Sequence, residues 1–232
     1  MADDLLDIRQ QFIKRSGRYD LATTTVDEFD TDAGADDFIN AGSRWLDLHQ
    51  EHLVDTQEFV VTLSASGYQI DMTQLRTPKE VYYLNGTTGK NVQLLKRSME
   101  WMLDQYPKLG SETPSLPKFW APYISHRAPA QKASGAAYNT KRVVVMPPTA
   151  ASLDVSVFGR FHQPKLESNT DTNFWSMEYP TALVMAALMV VEGFYRNTAG
   201  VRDYREFIDD ILIGIDRDTA DLENTASSRM EG

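Results

Sequence analysis

Apolar side chains recur at helical spacing at both ends of the chain and at strand spacing in the middle. In DDLLDIRQQFIKRSG, Leu5, Leu6, Ile8, Phe12 and Ile13 form one stripe. Asp3 and Asp4 suit the start of that helix and Gly17 its end. A polar, acidic connector, TTTVDEFDTDAGAD, follows. DDFINAGSRWLDLHQEHL then places Phe38, Gly42, Trp45, Leu46, His49 and Leu53 on one helical face.

After Thr56 the period shortens. EFVVTLS, GYQIDM and KEVYYLNGTTGKNVQLLKR are rich in Val, Ile and Tyr, and the NGTTG turn predicts a β-hairpin. SMEWMLDQY predicts a short helix that stops before Pro107. KFWAPYIS, KRVVVMPP and SLDVSVFGRFHQP resume the strand pattern. SETPSLP and RAPAQKASGAAYNT read as surface loops.

Helical spacing returns with YPTALVMAALMVVEGFYRNTAG, which is apolar on almost every face from Pro180 to about Asn197. Its uninterrupted apolar run, Ala182 to Val191, is ten residues and is followed by Glu192 and Arg196. A membrane span needs about 20 residues. The stretch therefore predicts a helix covered by protein. A last helix, about 199–222, carries Val201, Tyr204, Ile208, Ile211, Ile215 and Leu222 on one stripe and acids and arginines elsewhere. Beyond it, ENTASSRMEG holds too little apolar content to order itself. The acidic N-terminus, MADDLLDIRQ, lacks the basic and apolar regions of a secretory leader.

The pattern predicts an α+β fold. Residues 3–16, 36–53, 180–197 and 199–222 form an antiparallel helix bundle from segments 1–56 and 166–232, and an antiparallel β-rich domain, 57–165, is inserted between them.

Charge follows the same division. Residues 1–75 carry 5 basic and 15 acidic side chains, residues 76–165 carry 13 and 5, and residues 166–232 carry 5 and 13. A basic block thus lies between two acidic ones, a pattern that marks a domain boundary or a binding face. Cysteine is absent, which removes disulfides, thiolate metal sites and cysteine nucleophiles.

The chain contains no GxxxxGK[ST], GxGxxG, HExxH or GxSxG motif, so no enzyme is predicted. His49 and His52 form an HxxH pair, but His49 lies on the apolar helical face and reads as a packed side chain. Asp216, Asp218 and Asp221 resemble a calcium loop that lacks its sixth-position glycine and twelfth-position glutamate, where Ser227 stands. A solvated helical face accounts for them. No metal or cofactor is expected. Tyr82, Tyr83, Trp101, Phe119, Trp120 and Tyr123, interleaved with Lys79, Lys96, Arg97 and Lys118, match the composition of a single-strand binding platform. Aromatic strand residues more often serve as core. A β-domain that binds nucleic acid or glycan on a helical scaffold is therefore kept as an alternative, alongside an enzyme of unrecognised class.

DLLDIRQQFIKRSGRYDLATTT, DDFINAGSRWLDLHQ, MPPTAASLDVSVFGRF and NFWSMEYPTALVMAALMVVEGFYRNTAGVRDYREFIDDILIGID together resemble the head-to-tail adaptor proteins of tailed bacteriophages. These include the tail tubular protein A type of short-tailed phages. The order of elements over nearly the whole chain carries the likeness. It implies a structural protein of the virion neck, synthesised in the host cytoplasm. It also implies a homo-oligomeric ring of twelve copies beneath the portal protein, with a downstream tail or neck protein below and DNA only as passing cargo. The C-terminal segments of such adaptors commonly reach into the portal. On that reading the tail docks on the portal: Asp216 begins it, Arg217 and Arg229 meet carboxylates, and Leu222 and Met230 fill pockets. The charge blocks place Lys79, Lys90, Lys96, Arg97, Lys141 and Arg142 of one subunit against acidic helical surface of the next, with direct contact between this basic region and DNA as the competing reading.

Overall fold

The structure, a computed structural model, describes residues 3–49, 56–72, 74–86, 89–126 and 139–228, with the side chains of 56, 124–126, 139–140 and 219–228 outside the description. The chain divides into two compact units, residues 1–55 with 162–232, and residues 56–161. The fold is α+β.

The first unit is helical. Helix α1, Leu5–Ser16, begins with a reciprocal cap in which the Asp4 carboxylate accepts from the Asp7 backbone N–H. It ends at Gly17, whose left-handed backbone (φ 67°) lets its N–H reach the Ile13 carbonyl. Two short strands, β1 (Ala22–Thr23) and β2 (Thr31–Asp32), pair as a ribbon inside the segment expected to be a plain connector. Asp30 organises that loop by accepting from Thr25 and Val26.

Helix α2 spans Ala35–His49, and the rest of the 36–53 expectation lies outside the described residues. Its buried face is Ile39, Gly42, Ser43, Leu46 and Asp47. The expected face is thus corrected by a rotation toward two polar side chains, and His49 is exposed. The physical reason is that Ser43 and Asp47 find buried hydrogen-bond partners from the other end of the chain.

Helix α4, Phe174–Glu178, leads into α5, Pro180–Phe194. Helix α5 buries Ala182, Leu183, Val184, Ala186, Ala187, Leu188, Met189 and Val191 and packs against α1, α2, α4 and α6. α6 is the helix Thr198–Ser228. The stretch from Pro180 is therefore the centre of a small core. Helix α5 stops three residues short of the expected end, where Arg196 turns the chain with positive φ (60°). Helix α6 corrects the expected end near 222 and the unordered tail, since its backbone stays helical to Ser228. Ala220, Leu222, Glu223 and Ala226 are good helix formers, and extending an existing helix is far easier than nucleating one.

The second unit is a sandwich of two four-stranded sheets. One has the order β3 (Thr56–Leu63), β10 (Leu153–Phe161), β5 (Leu75–Asn85), β6 (Lys90–Gln93). The other runs β4 (Gln69–Asp71), β9 (Asn139–Met146), β8 (Phe119–His126), β7 (Leu95–Lys96). Strands β5 and β6 are the predicted hairpin, with Asn85 opposite Lys90. All pairs are antiparallel except β7 with β8, a parallel departure from the expected pattern. Strand β7 is two residues long and continues directly into helix α3, Met99–Gln105.

Alternation decides what each strand buries. Val155 and Val157 of β10 join Val81, Tyr83, Trp120, Val143 and Val145 between the sheets. The opposite face of β9 is buried too, because Val144 and Met146 meet Met102 of α3. A strand covered on both faces reads as a continuous apolar run, which explains VVVM at 143–146.

Candidate functional site

Helix α3 and the edge strand β7 build a cleft on the second unit. Leu95 N–H donates to the Lys118 carbonyl at 2.9 Å and Arg97 N–H to the Trp120 carbonyl at 2.8 Å, which fixes the strand along β8. Ser98 then caps α3 by accepting from the Trp101 N–H at 3.2 Å. The consequence is a cleft of about 630 Å³ lined by Lys96, Arg97, Ser98, Met99, Trp101 and Pro122. The Arg97 guanidinium lies 5.3 Å from the Trp101 ring centre and 5.7 Å from that of Phe119. Trp101 and Phe119 themselves meet edge to face at 4.9 Å. The Lys96 ammonium lies 5.3 Å from the Trp120 ring centre. Both cations are exposed, and neither forms a salt bridge with another described residue. Aromatic faces hold such cations in place while leaving their charge available.

The six basic residues singled out from charge do not share one face. Lys79 and Lys90 stand on the β3–β10–β5–β6 sheet, whereas Lys96, Arg97, Lys141 and Arg142 belong to the other sheet and its edge. Lys141 and Arg142 are consecutive in β9, so they point to opposite sides. Arg142 is already held by Asp71, Nε to Oδ1 at 2.5 Å.

The aromatic platform is also divided. Tyr83 and Trp120 are buried between the sheets, and Tyr82 stands on the other sheet from Trp101, packing edge to face on Phe158 at 5.6 Å. Of the aromatics named from sequence, Trp101 and Phe119 share the Arg97 cluster.

In the helical unit, α6 presents its polar side outward. Ile208, Leu212 and Ile215 are buried in the bundle, while Asp203, Phe207 and Asp210 are exposed. Burial, and then the charges of Asp218 and Glu178, raise the Tyr179 phenol pKa. Helix α6 follows α5 after a three-residue connection and packs against it. Asp216 and Arg217 sit on α6. The Leu222 side chain and residues Arg229 and Met230 lie outside the described residues.

Two buried polar clusters escaped the sequence reading. Asp47 accepts the Trp175 indole N–H at 2.8 Å and the Gln163 backbone N–H at 2.9 Å, with His162 Nδ1 at 3.5 Å. Arg9, 2% exposed, forks onto both oxygens of Asp36 at 2.7 Å. It also donates to the carbonyls of Phe29 and Asp30 and to Asn169. These clusters tie distant segments of the unit together. Their only sequence signal is a charged residue standing within an apolar stripe.

His49 stacks on Trp45 at 3.7 Å and meets the Trp45 carbonyl through Nδ1 at 2.9 Å, and His52 lies outside the described residues. Among the described residues no group of three or more histidine, aspartate or glutamate side chains is placed to hold a metal ion. No described helix is long and apolar enough to cross a membrane. No protein-family model matches the chain, and no curated protein matches it.

Proposed function

We propose that the chain is a head-to-tail adaptor of a tailed bacteriophage. On this reading it is a non-enzymatic subunit that assembles into a twelve-membered ring in the virion neck, between the portal and the next neck or tail protein. DNA passes through the ring as cargo. The named segments from Asp4 to Asp216 carry the likeness to that family.

The observation that carries the reading is the length of α6. It has 31 residues against 15 in α5, about 46 Å against about 22 Å at 1.5 Å per residue. Among the residues whose side chains are described, the last buried one is Ile215, and the backbone stays helical for 13 further residues to Ser228, about 20 Å more. A helix twice as long as the one it packs against suits a partner beyond its own bundle. The alternating charge blocks suit a ring, in which one face of a subunit meets a different face of its neighbour.

Native mass spectrometry of the full chain, alone and mixed with portal assemblies of the phage that encodes it, tests the proposal. Rings of twelve, free or on the portal, are expected. A chain that stays monomeric at tens of micromolar and ignores the portal overturns it.

A second reading, a nucleic-acid-binding β-sandwich, is favoured by the single feature of Arg97 held over Trp101. Retardation of single-stranded DNA by the monomer is the result that would establish it.

A further inference from the structure

The cleft and the outer face of α6 have matching chemistry. Asp203, Phe207 and Asp210 are spaced i, i+4 and i+7, so they share one side of the helix, with about 10 Å of rise between the two aspartates. Phe207 is 46% exposed and makes no ring contact with another described residue. Among the described residues, neither Asp203 nor Asp210 forms a salt bridge. The neighbouring acids Glu206 and Asp209 are engaged within the helix by Arg202 and Arg205. The helix thus offers one aromatic side chain between two carboxylates. The cleft offers the converse, with the apolar side chains of Met99, Trp101 and Pro122 in its lining together with the basic residues Lys96 and Arg97.

We propose that this cleft receives the Asp203–Phe207–Asp210 face of α6 from a second copy of the chain. The proposal rests on the ring reading and names the surfaces that close it. Phe207 enters the cleft against Met99 and Trp101, and Asp203 and Asp210 meet the two cations at its rim. An aromatic anchor in a desolvated pocket, ringed by polar contacts, is the arrangement that concentrates binding energy. Leu95, 57% exposed beside Lys96, and Leu103, 48% exposed one turn along α3 from Met99, add apolar surface around the contact. The contact is heterologous: cleft and helix face are different surfaces, so each copy has both to offer and the association propagates until the ring closes. Charge complementarity steers it and rejects like-charged docking. A nucleic acid is the poorer occupant. The chain's net charge of −10 repels a polyanion, and the acidic counterpart already exists on the chain's own surface.

Charge exchange between two variants of the full chain tests this. The first is Lys96→Glu with Arg97→Glu, and the second is Asp203→Lys with Asp210→Lys. All four side chains are exposed, so each variant stays folded, the cleft variant losing only the modest contribution of its cation–aromatic contacts. Each alone juxtaposes like charges, and its ring population in native mass spectra falls by at least about tenfold. Mixed in equal amounts, the two restore rings, because the acidic cleft of the first meets the basic helix of the second and the reverse contact is native. Restored rings contain both variants in equal number. The proposal is overturned if either variant assembles as wild type does, or if the mixture recovers nothing. It is also overturned if the cleft variant assembles normally and instead loses affinity for single-stranded DNA, which assigns the cleft to nucleic acid. Wild-type rings in those experiments leave the ring reading standing. A wild-type chain that never assembles removes that reading and this contact with it.

Discussion

The indole N–H of Trp175 donates to Oδ1 of Asp47 at 2.8 Å, with both residues 1% exposed. The other oxygen of Asp47 accepts the Gln163 backbone N–H at 2.9 Å. One carboxylate on α2 therefore holds the segment that leads into α4. Asp47→Ala strands both donors in a place that water does not reach, and a stranded buried donor costs about 1–3 kcal/mol. The expected loss is roughly 2–4 kcal/mol for the pair. Asp47→Asn keeps one accepting oxygen and loses less. Urea unfolding followed by tryptophan fluorescence checks both. An alanine variant within experimental error of wild type would refute this account of the cluster.

Gly42 and Gly214 form a matched pair of helix glycines with opposite expectations. A Cβ built on Gly42 would lie 2.6 Å from the backbone N of Ala187 and 2.9 Å from the carbonyl carbon of Ala186. The obstacle is backbone of α5, so α2 must move away. Gly42→Ala is expected to destabilise by about 1–3 kcal/mol. A Cβ on Gly214 meets nothing within 4 Å. Gly214→Ala is expected to stabilise by up to about 1 kcal/mol through helix propensity. Thermal melts of the two variants should move in opposite directions.

Local periodicity made much of this fold legible. Leu5, Ile8, Phe12 and Ile13 are all buried, as their spacing requires, and the NGTTG turn joins two paired strands. What was not legible depends on partners far along the chain. Arg9 sits between Ile8 and Phe12 in a buried stripe because Asp36, Asn169 and two carbonyls converge on it from separate segments. The buried face of α2 turned toward Asp47 for the same reason. Net charge located the basic block but not its sides, since consecutive strand residues such as Lys141 and Arg142 separate to opposite faces. The cleft needed the register of β7 on β8, which no local pattern encodes.

Stability should fall on the acid side through three carboxylates. The Ser168 N–H first, and then that of Glu167, hold the Asp171 carboxyl below its usual range. The Thr25 hydroxyl first, then the N–H groups of Val26 and Thr25, do the same for Asp30. Hydrogen bonding from Arg18 brings Asp20 to about 2 from an ordinary 3.8. A carboxyl whose folded pKa is depressed contributes fully above its unfolded value, and that contribution disappears as pH falls through the folded one. These groups therefore leave stability level from pH 7 to about 5 and lower it below about 4. Asp20 is exposed and Asp30 and Asp171 are only partly buried, so each effect is small. Asp171→Asn should flatten the dependence of melting temperature on pH below about 4. An unaltered slope would show that this carboxylate is not stabilised as its geometry indicates.

Deleting residues 217–232 separates two roles of α6. The shortened chain keeps Ile208, Leu212 and Ile215, the buried residues through which the helix joins its bundle. It also keeps Asp203, Phe207 and Asp210, the face assigned to the neighbouring cleft. The bundle should therefore stay folded, with a melting temperature near that of wild type and a far-ultraviolet signal reduced by the missing turns. Rings should still form. What disappears is the distal part of the helix from Arg217 onward, the segment expected to dock on the portal. Co-sedimentation with portal assemblies, and incorporation into particles, should then be lost while ring formation persists. If the shortened chain enters virions as efficiently as the full one, the C-terminal segment is not the docking element. If it loses ring formation as well, the distal helix belongs to the contact between copies, and the division of labour along α6 is different from the one its burial pattern implies.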